Sequence, residues 1–593
     1  MNAIDRILLS VEKPARYVGG EYNQPDCTKP HKVSFCLAFP DLYEVGMSNL
    51  GIKILYDILN RDPDVVCERC FTPWVDMGKA LSEQGIPLFS LETRRPLKDF
   101  DLLGFSIQYE LALTNVLYML DLAGIPFFPA ERSEDDPILF AGGPCTANPE
   151  PFAPFFDLIC IGDGEEVNLA VAKIVAKHKG NRRKILEECQ KIDGIYAPSL
   201  TETENGICIT PVKKAVVKNL DAAPFPTAPL VPNIEVTHDR PVVELYRGCY
   251  AACRFCQACF FYRPVRVRSQ ERILTYAKEL IASTGADELG ISSLSSGDYP
   301  DICGLLRHLH PLAEREKVKL QLPSLRLDSY SEELTGDSRR GSLTFAPEAG
   351  TQRLRDVINK NITEEDVDHT MRLAFGQGYR AVKLYFMIGL PTERDEDLLG
   401  IAALAAKIRK IYIEVTGKRD LTITVSTSMF VPKPLTPFQW AEQIGVEEMK
   451  RRVSIVRAAL RSVKGVNYNW HEETASMLEG VFARGDRSLA DVVVRAYRSG
   501  CRFDGWNEHF RYDLWMQAFA DCGIDPFRYT AAQAEDKVFA WDFIDFGVKK
   551  SFLLSEWRRA LCGEKGESCK FGCKGCGANR YAACKVQNDV SDR

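Results

Sequence analysis

The sequence of 593 residues lacks the features that mark membrane, secreted and strongly charged proteins. No apolar run approaches the roughly 18–20 residues of a membrane-spanning helix, and the first residues lack the apolar segment of a signal peptide. Lysine and arginine number 75 against 81 aspartate and glutamate, so a net charge of −6 offers no overall attraction for nucleic acid or an anionic membrane. We therefore expect a cytoplasmic protein with no membrane partner.

The composition is that of a large globular protein with many cysteines. Hydrophobic residues make up 45% of the chain and charged residues 26%, and the length suits roughly three to five domains with their own cores. The chain also has 20 cysteines. In a reducing cytosol, closely spaced cysteines bind metals or act in redox chemistry more often than they form disulfides.

Three cysteines in one short stretch dominate the sequence. Cys249, Cys253 and Cys256 are separated by three and two residues. A loop with this spacing can bring three thiolates to one face of a four-iron cluster and leave one iron open. A structural zinc site would need a fourth ligand nearby. Cys259 is a candidate for that ligand, although a buried spare thiol is the simpler interpretation.

Residues 1–230 alternate between predicted strands and helices. Glycines follow several of the strands, at the edge where open α/β sheets bind ligands. The pattern predicts a flavodoxin-like parallel-sheet domain that ends in a proline-rich linker. Short apolar runs predict its buried parallel strands at 33–39, 87–90, 102–107, 138–143 and 158–162.

Residues 231–440 resume the alternation and predict an incomplete (β/α)6 barrel. Barrel enzymes place their reactive groups at the C-terminal ends of the strands, and the three cysteines follow the first of them. Residues 441–555 have mainly helical patterns, and residues 556–593 form a cysteine-rich tail. The barrel strands are predicted at 242–246, 288–292, 319–323, 342–346, 381–388 and 422–428.

This barrel segment resembles the radical S-adenosylmethionine (SAM) superfamily. The resemblance is carried by the three cysteines, by Phe255 directly before the last of them, and by loops at later strand ends. It implies an enzyme in which the cysteines bind a [4Fe–4S] cluster whose open iron chelates SAM. It also implies an electron donor such as flavodoxin or ferredoxin, whose electron drives cleavage of SAM to methionine and a 5′-deoxyadenosyl radical.

The same resemblance implies SAM-binding roles for residues at the strand ends. Phe255 and the backbone at Gly389 would meet the adenine, and Glu348 would bind the ribose. Serines and an aspartate after the second strand would accept hydrogen bonds from the SAM ammonium, and a basic residue would pair with its carboxylate. The candidates are Phe255, Ser295, Ser296, Asp298, Ser324, Arg326, Glu348, Arg353, Lys360 and Gly389.

The strand ends of the N-terminal domain resemble cobalamin-binding domains. The loops at 104–106, 141–144, 148–149 and 162–165 fall where that family places its ligand loops. After the first strand, the family often has a histidine that binds cobalt, whereas this sequence has Tyr43. A neutral phenol is a poor cobalt ligand. Two interpretations stay open: cobalamin is bound without that histidine, or the fold accepts substrate instead.

The tail repeats the spacing of the first cysteine group. Cys569, Cys573 and Cys576 are again separated by three and two residues, and Cys584 follows. Glycines between them allow the loop to curl around a metal, and four thiolates suit either zinc or a second iron–sulfur cluster. A disordered tail with reactive thiols is the alternative.

The order of the domains resembles an enzyme group related to the methylthiotransferases that modify tRNA and a ribosomal protein. It implies modification of a substrate that the sequence does not identify, with RNA and a ribosomal protein as candidates: methylation if cobalamin is bound, or sulfur insertion if the tail holds a second cluster. Those relatives carry their extra cluster in an N-terminal domain, whereas the extra cysteines here are mainly C-terminal, which argues against methylthiolation itself. The competing interpretation is a non-catalytic, zinc-binding adaptor associated with RNA or ribosomes.

Overall fold

A computed structural model describes residues 3–204, 206–322, 327 and 342–584 of the chain. Within these residues, the three larger sheets have six, three and four strands. None of the helices in this part of the chain is long and apolar enough to cross a membrane. The expected α/β architecture with parallel sheets is therefore confirmed.

The N-terminal sheet has the order β2-β1-β3-β4-β5-β6, which is the flavodoxin-like order with one added strand. The first five strands are parallel and β6 is antiparallel. The strands are β1 Val33–Phe39, β2 Val65–Phe71, β3 Leu102–Ser106, β4 Ile138–Gly142, β5 Leu158–Cys160 and β6 Ile195–Tyr196. The longer helices of this region are Ala3–Leu8, Leu50–Arg61, Val75–Gln84, Leu113–Leu122, Glu165–His178 and Arg182–Cys189.

One strand predicted for this sheet is wrong, and two observed strands, β2 and the two-residue β6, were not predicted. Residues 87–90 contribute only an isolated bridge, whereas β2 is fully buried beside β1. Its Glu68 and Arg69 interrupt the apolar pattern that predicts a buried strand. Both are tolerated because they have partners: the Ser90 hydroxyl donates to Glu68 at 2.6 Å, and Arg69 pairs with Glu21 at 2.9 Å and with Glu92 at 2.6 Å.

In the described residues, the two larger sheets of the barrel region contain all six predicted strands and one more, and Tyr246–Arg247 pairs with Arg266–Val267 in a separate two-stranded antiparallel ladder. β7 to β9 form one parallel sheet and β10 to β13 another. The strands are β7 Val242–Glu244, β8 Glu288–Ser292, β9 Lys319–Gln321, β10 Leu343–Glu348, β11 Ala381–Ile388, β12 Thr422–Met429 and β13 Val466–Trp470. The intervening helices are Gln257–Phe261, Gln270–Thr284, Ile302–Glu316, Gln352–Val357, Glu364–Gly376 and Asp395–Thr416.

The added strand, β13, lies beyond residue 440, in the segment predicted to be mainly helical. It pairs in parallel with β12 at the edge of the sheet, and most of its side chains are exposed, so no apolar run marks it in the sequence. Apart from β13 and the two-residue strand Ile544–Asp545, which pairs with Val212–Lys213, the regular elements of this segment are helices. The boundaries near residues 230, 440 and 555 stay predictions. The helices are Val446–Leu460, Glu473–Arg484, Leu489–Arg498, Tyr512–Asp521, Phe527–Thr530 and Lys550–Leu561.

The C-terminal helices share one hydrophobic core with the N-terminal sheet. Polar contacts reinforce this packing: the Thr114 hydroxyl donates to Asp504 at 2.5 Å, and the Phe503 amide donates to Asn115 at 2.7 Å. Asp504 also accepts a 2.9 Å hydrogen bond from the indole of Trp515. The two ends of the described chain therefore form one packed body.

Asp504 gives this contact a dependence on pH. Burial raises the pKa of Asp504 to about 6, so the folded chain binds a proton more tightly than the unfolded chain, and stability falls as pH rises from about 4 to 6. Asp504→Asn keeps partners for Thr114 and Trp515 without the titration. We expect the melting temperature of this variant to vary less than that of the wild type between pH 4.5 and 7. At pH 7 the variant should be the more stable protein, with a free energy of unfolding higher by on the order of 2–3 kcal/mol.

Thermal unfolding followed by circular dichroism across this pH range measures the effect. Asp513→Asn, at an exposed carboxylate on the same helical segment, is the matched control and should follow the wild-type profile. Parallel profiles for the wild type and Asp504→Asn would contradict the prediction.

Candidate active site

The loop that bears the three cysteines follows the first strand of the barrel region. Gly248 opens this loop with a φ of +90°, and a Cβ at this position would lie 3.0 Å from the Cα of Val265. Only glycine fits this close approach without strain. Beyond it, Cys249 and Cys253 are buried and Cys256 is half-buried. The cysteines therefore lie at a strand end, as the sequence predicts.

The three thiols converge on a fourth, that of Cys259. The buried Cys259 thiol lies within hydrogen-bonding reach of the thiols of Cys249, Cys253 and Cys256. The hydrogen bond from Cys259 lowers the pKa of the Cys249 thiol, although burial opposes the shift. Thiolates are the form that binds iron, so this donor set fits a cluster held by three cysteines. Within the described ranges, no three or more His, Cys, Asp or Glu side chains are arranged to hold a single metal ion.

Arg254 and Asn359 hold the cysteine loop in place. Arg254 is fully buried; its guanidinium donates to the Val357 carbonyl at 2.9 Å and pairs with Glu556 at 3.0 Å. The Asn359 amide donates to the Ala252 carbonyl at 3.1 Å. The loop is thus anchored both to the barrel and to the last long helix. The sequence alone did not indicate that Arg254, which lies between two of the cysteines, is buried and anchors the loop.

The candidates after β8 are buried together. Ser295, Ser296 and Asp298 are each at most 7% exposed. The Ser295 hydroxyl has no hydrogen-bond partner among the described residues, so it is available to a ligand. Asp298 instead pairs with Lys570 of the tail at 3.2 Å. Asp298, which was predicted to contact the ammonium group of SAM, is therefore already paired with a lysine of the tail.

The candidates after β10 contact one another or other loops. Glu348 ends the strand with a φ of +66° and pairs with Lys360 at 3.1 Å, which brings the predicted ribose and carboxylate partners together. Arg353 pairs with Asp397 and donates to the Thr392 carbonyl at 2.9 Å, so its guanidinium is already engaged. Two further candidates, Ser324 and Arg326, lie outside the described residues.

Phe255 and the strand end at Gly389 are connected through one hydrophobic cluster. Phe255 is half-buried and packs against the hydrophobic cluster that contains Leu390. The Gly389 N–H donates to Glu393 at 2.8 Å, and burial raises the pKa of Glu393 to about 7. Phe255 and Leu390, the residue after Gly389, thus belong to the same region of packing.

A cavity of about 410 Å³ separates the N-terminal sheet from the cysteine loop. On the sheet side, it is lined by residues of the loops 104–106, 141–144 and 162–165. On the barrel side, it reaches Gly248 and Tyr262, which flank the cysteines in sequence. Three of the four loops expected to bind a ligand therefore face the cysteine-bearing loop. The fourth does not line the cavity, because Asn148 is buried and donates to the Ala483 carbonyl at 3.1 Å.

Buried ion pairs connect the two walls of the cavity. Arg247 pairs with Glu244 at 2.8 Å, with Asp163 at 3.2 Å and with Glu165 at 2.5 Å. Burial alone would raise the pKa of Asp163, but Arg266 and Arg247 bring it down to about 2. The sequence did not predict this role of Arg247. The acidic residues of the loop at 162–165 were the available indication that a buried basic partner was needed.

Two other arginines after the cysteine loop have structural partners. Arg266 pairs with Asp163 as well, and Arg268 pairs with Glu244 at 3.2 Å. Both are at most 5% exposed. These contacts make the two arginines packing partners of the loop.

Tyr43 does not face the cavity. Its hydroxyl donates to Glu21 at 3.1 Å, and its ring packs edge-on against Phe71 with centroids 5.3 Å apart. None of the described cavity-lining residues is a histidine. A corrinoid in this cavity would therefore have no imidazole ligand from its walls.

The tail cysteines line a second, smaller cavity. Its walls bring the tail against Cys249, Tyr250 and Arg263 of the cysteine loop. The sequence predicted a metal site in the tail but gave no indication of this contact, which spans more than 300 positions of the chain. The tail residues that line the cavity include Cys569, Cys573, Cys576 and Cys584.

Two family models match the chain. Residues 51–198 match the model described as "Radical SAM proteins, N-terminal", and residues 243–405 match "Radical SAM superfamily". The two matched segments together cover just over half of the chain. The second segment contains all three cysteines of the loop.

Two curated proteins are similar along much of the chain. "Uncharacterized protein MJ0966" of Methanocaldococcus jannaschii is 25% identical over 490 residues, which are 82% of this chain and 97% of that protein. The threonylcarbamoyladenosine tRNA methylthiotransferase MtaB of Aquifex aeolicus is 22% identical over 322 residues, 52% of this chain and 70% of that protein.

Solved structures give weaker similarities. One is the radical SAM methyltransferase TsrM of Kitasatospora setae, solved with cobalamin and a [4Fe–4S] cluster. Its TM-score is 0.47 and its sequence identity 14%, and the match covers 70% of this chain and 75% of TsrM. The cobalamin-dependent radical SAM enzyme OxsB, solved with aqua-cobalamin, has a TM-score of 0.44 and 15% identity over 94% of this chain and 85% of OxsB. Because both its N-terminal and its barrel segments match the models of one family, this chain belongs to the radical SAM superfamily and is an enzyme.

Proposed function

We propose that the chain cleaves SAM reductively at a [4Fe–4S] cluster bound by Cys249, Cys253 and Cys256. The observation that carries the proposal is the convergence of these three thiols on Cys259, in a loop directly after the first strand of the barrel region. When bound and reduced by an external donor such as flavodoxin or ferredoxin, the cluster supplies the electron that splits SAM into methionine and a 5′-deoxyadenosyl radical. Family membership favours this enzyme over the non-catalytic adaptor.

The chain's own residues would hold SAM beside the cysteine loop. The free Ser295 hydroxyl suits the ammonium group. The paired Glu348 and Lys360 suit the ribose and the carboxylate, since each offers a charge-assisted hydrogen bond. Phe255 and the strand end at Gly389 offer an apolar surface and backbone groups for the adenine. This arrangement would place the three parts of SAM on three strand ends.

The second substrate would enter the cavity of about 410 Å³ beside the loop. This volume lies within the usual range of small-ligand sites, so it suits a single nucleobase, an amino-acid side chain or a small molecule. The ion pairs of Arg247 fix the two walls relative to each other, which would keep the reacting group in position. Methylation or sulfur insertion on RNA or a ribosomal protein stays a prediction from the resemblance.

Anaerobic purification tests the proposal. We expect a brown protein that releases 5′-deoxyadenosine from SAM only when dithionite is present. A colourless zinc protein that never cleaves SAM would contradict the proposal.

A second candidate is that a corrinoid binds at the mouth of the same cavity, with most of its volume outside the space of about 410 Å³, because three loops at the carboxyl ends of parallel strands line the cavity, where such sheets bind ligands. This candidate predicts that protein incubated with hydroxocobalamin keeps a corrinoid absorption band after desalting. Gly142→Trp should lose the band, since Gly142 lines the cavity and a Cβ at this position would have its nearest neighbour 3.9 Å away, at Cys160. Leu561→Trp, at an exposed position, is the control. A band that desalting removes from the wild type would contradict this candidate.

A further inference from the structure

We propose that Cys569, Cys573, Cys576 and Cys584 bind a second iron–sulfur cluster, packed directly against the loop that binds the first. This site is separate from the SAM-cleaving site, and it goes beyond the function proposed above. The proposal rests on the cavity that the four thiols share, on a buried cation that faces it, and on the contacts that dock the tail.

The four thiols come from a stretch of 16 residues that curls around one cavity. Three glycines allow the curl, because Gly572, Gly575 and Gly577 have φ values of +141°, +72° and +101°, which side chains rarely permit. At Gly577 a Cβ would also lie 2.8 Å from the Gly547 carbonyl oxygen. The backbone is thus shaped to direct cysteines from both halves of the stretch towards the same space.

A buried cation faces this space. Arg263 lines the cavity and is only 2% exposed; its Nη2 lies 3.5 Å from the Cys569 sulfur. Its Nη1 makes no hydrogen bond to any described residue. A buried guanidinium without an anionic partner is strongly unfavourable. Four thiolates around a metal centre would supply that negative charge, whereas four neutral thiols would not.

Tyr250 adds a second unpartnered polar group. It lines the same cavity, is 2% exposed, and its hydroxyl has no hydrogen-bond partner among the described residues. A buried hydroxyl normally finds an acceptor. The sulfurs of a cluster are acceptors of the kind that tune such centres. Two buried residues that each have an unpartnered donor therefore line a cavity that is also lined by cysteines.

Cysteine ligands alone suit either zinc or an iron–sulfur cluster. The position of the tail site favours the cluster, because Cys249, a proposed ligand of the first cluster, lines the same cavity as the four tail cysteines. The two redox centres would therefore be adjacent.

Hydrogen bonds dock the tail against the first cysteine loop. The Cys569 N–H and the Ser568 hydroxyl both donate to the Tyr250 carbonyl, at 2.9 and 3.0 Å. The Cys576 carbonyl accepts from the Lys549 N–H at 2.9 Å. Since Tyr250 follows Cys249 directly, one residue connects the proposed ligands of the two clusters.

Iron and acid-labile sulfide, measured on the full chain purified anaerobically, test the proposal. We expect about eight irons per chain in the wild type and about four in Cys573→Ser/Cys576→Ser, because each cluster holds four. The variant that lacks all three cysteines of the first loop should also keep about four. Cys562→Ser is the matched control, since Cys562 is exposed and does not line the cavity, and it should keep about eight.

Two results would overturn the inference. One is a wild type with about four irons and one zinc, in which the tail variants lose only the zinc. The other is a tail variant that keeps the full wild-type iron content. The iron, acid-labile sulfide and zinc content of the wild type gives an answer even if the tail variants fail to fold, because two clusters need about eight irons and one needs about four. Failure of SAM cleavage with both clusters present would instead contradict the proposed function alone.

Discussion

Replacing Cys253 with alanine will abolish the release of 5′-deoxyadenosine from SAM, down to the level of a sample without enzyme. Cys253 is 5% exposed, and its thiol contacts that of Cys259 together with Cys249 and Cys256. Removing one of three thiolates leaves two, which cannot hold a four-iron cluster with one open iron. Iron content should fall by about four per chain, measured together with cleavage under dithionite.

Cys259 makes a further comparison necessary, because its thiol contacts the same three cysteines and its own role as a ligand must be tested. Cys259→Ala alone should cleave SAM at the wild-type rate, since the site needs three ligands and not four. Cys253→Ala/Cys259→Ala should be as inactive as Cys253→Ala. Cys303→Ser, at a half-buried cysteine on the helix Ile302–Glu316, controls for loss of a thiol as such. A Cys253→Ala protein with full activity would show that the cluster has been assigned to the wrong cysteines.

Replacing Arg69 with methionine will destabilise the N-terminal domain by about 3–5 kcal/mol. Arg69 lies in the buried strand β2 and is the shared partner of Glu21 and Glu92, all of them at most 1% exposed at the side chain. It also lies over the ring of Tyr56 at 5.0 Å. Without the guanidinium, two buried carboxylates face each other with no counter-charge, and the fold must bear the cost of ionising or protonating them.

Thermal unfolding and limited proteolysis measure this loss. Arg183→Ala is the control, because the exposed pair of Arg183 with Glu187 is worth less than about 1 kcal/mol. Neutralising the carboxylates as well, in Arg69→Met/Glu21→Gln/Glu92→Gln, should recover part of the lost stability. Equal melting temperatures for Arg69→Met and Arg183→Ala would show that the buried triad contributes little.

The features that the sequence predicted well are those encoded by local spacing. Cys249, Cys253 and Cys256 lie within eight residues, so their pattern alone predicts a shared site after a strand. The apolar runs of β1, β3 and β11 are likewise complete within a few positions. Each of these elements was placed correctly because its neighbours in sequence are also its neighbours in space.

The features that were missed depend on partners far along the chain. β2 contains buried charges whose counter-ions come from other segments, as Glu21 does for Arg69. Asp298 was expected to contact SAM, yet its partner, Lys570, is supplied by the tail. The cavity arises only where the sheet of one domain meets the cysteine loop of another. No local pattern encodes such contacts, because they exist only after the chain has folded.

The core shared by the N-terminal sheet and the C-terminal helices has a consequence for how the chain is made on the ribosome. The apolar side of the helix Leu113–Leu122 is completed by helices that begin near residue 473. At roughly 5–20 residues per second, about 20–70 s of translation separate the two segments. During that interval an apolar surface stays open to other chains, so the nascent protein should depend on chaperones more than a protein whose domains close one after another.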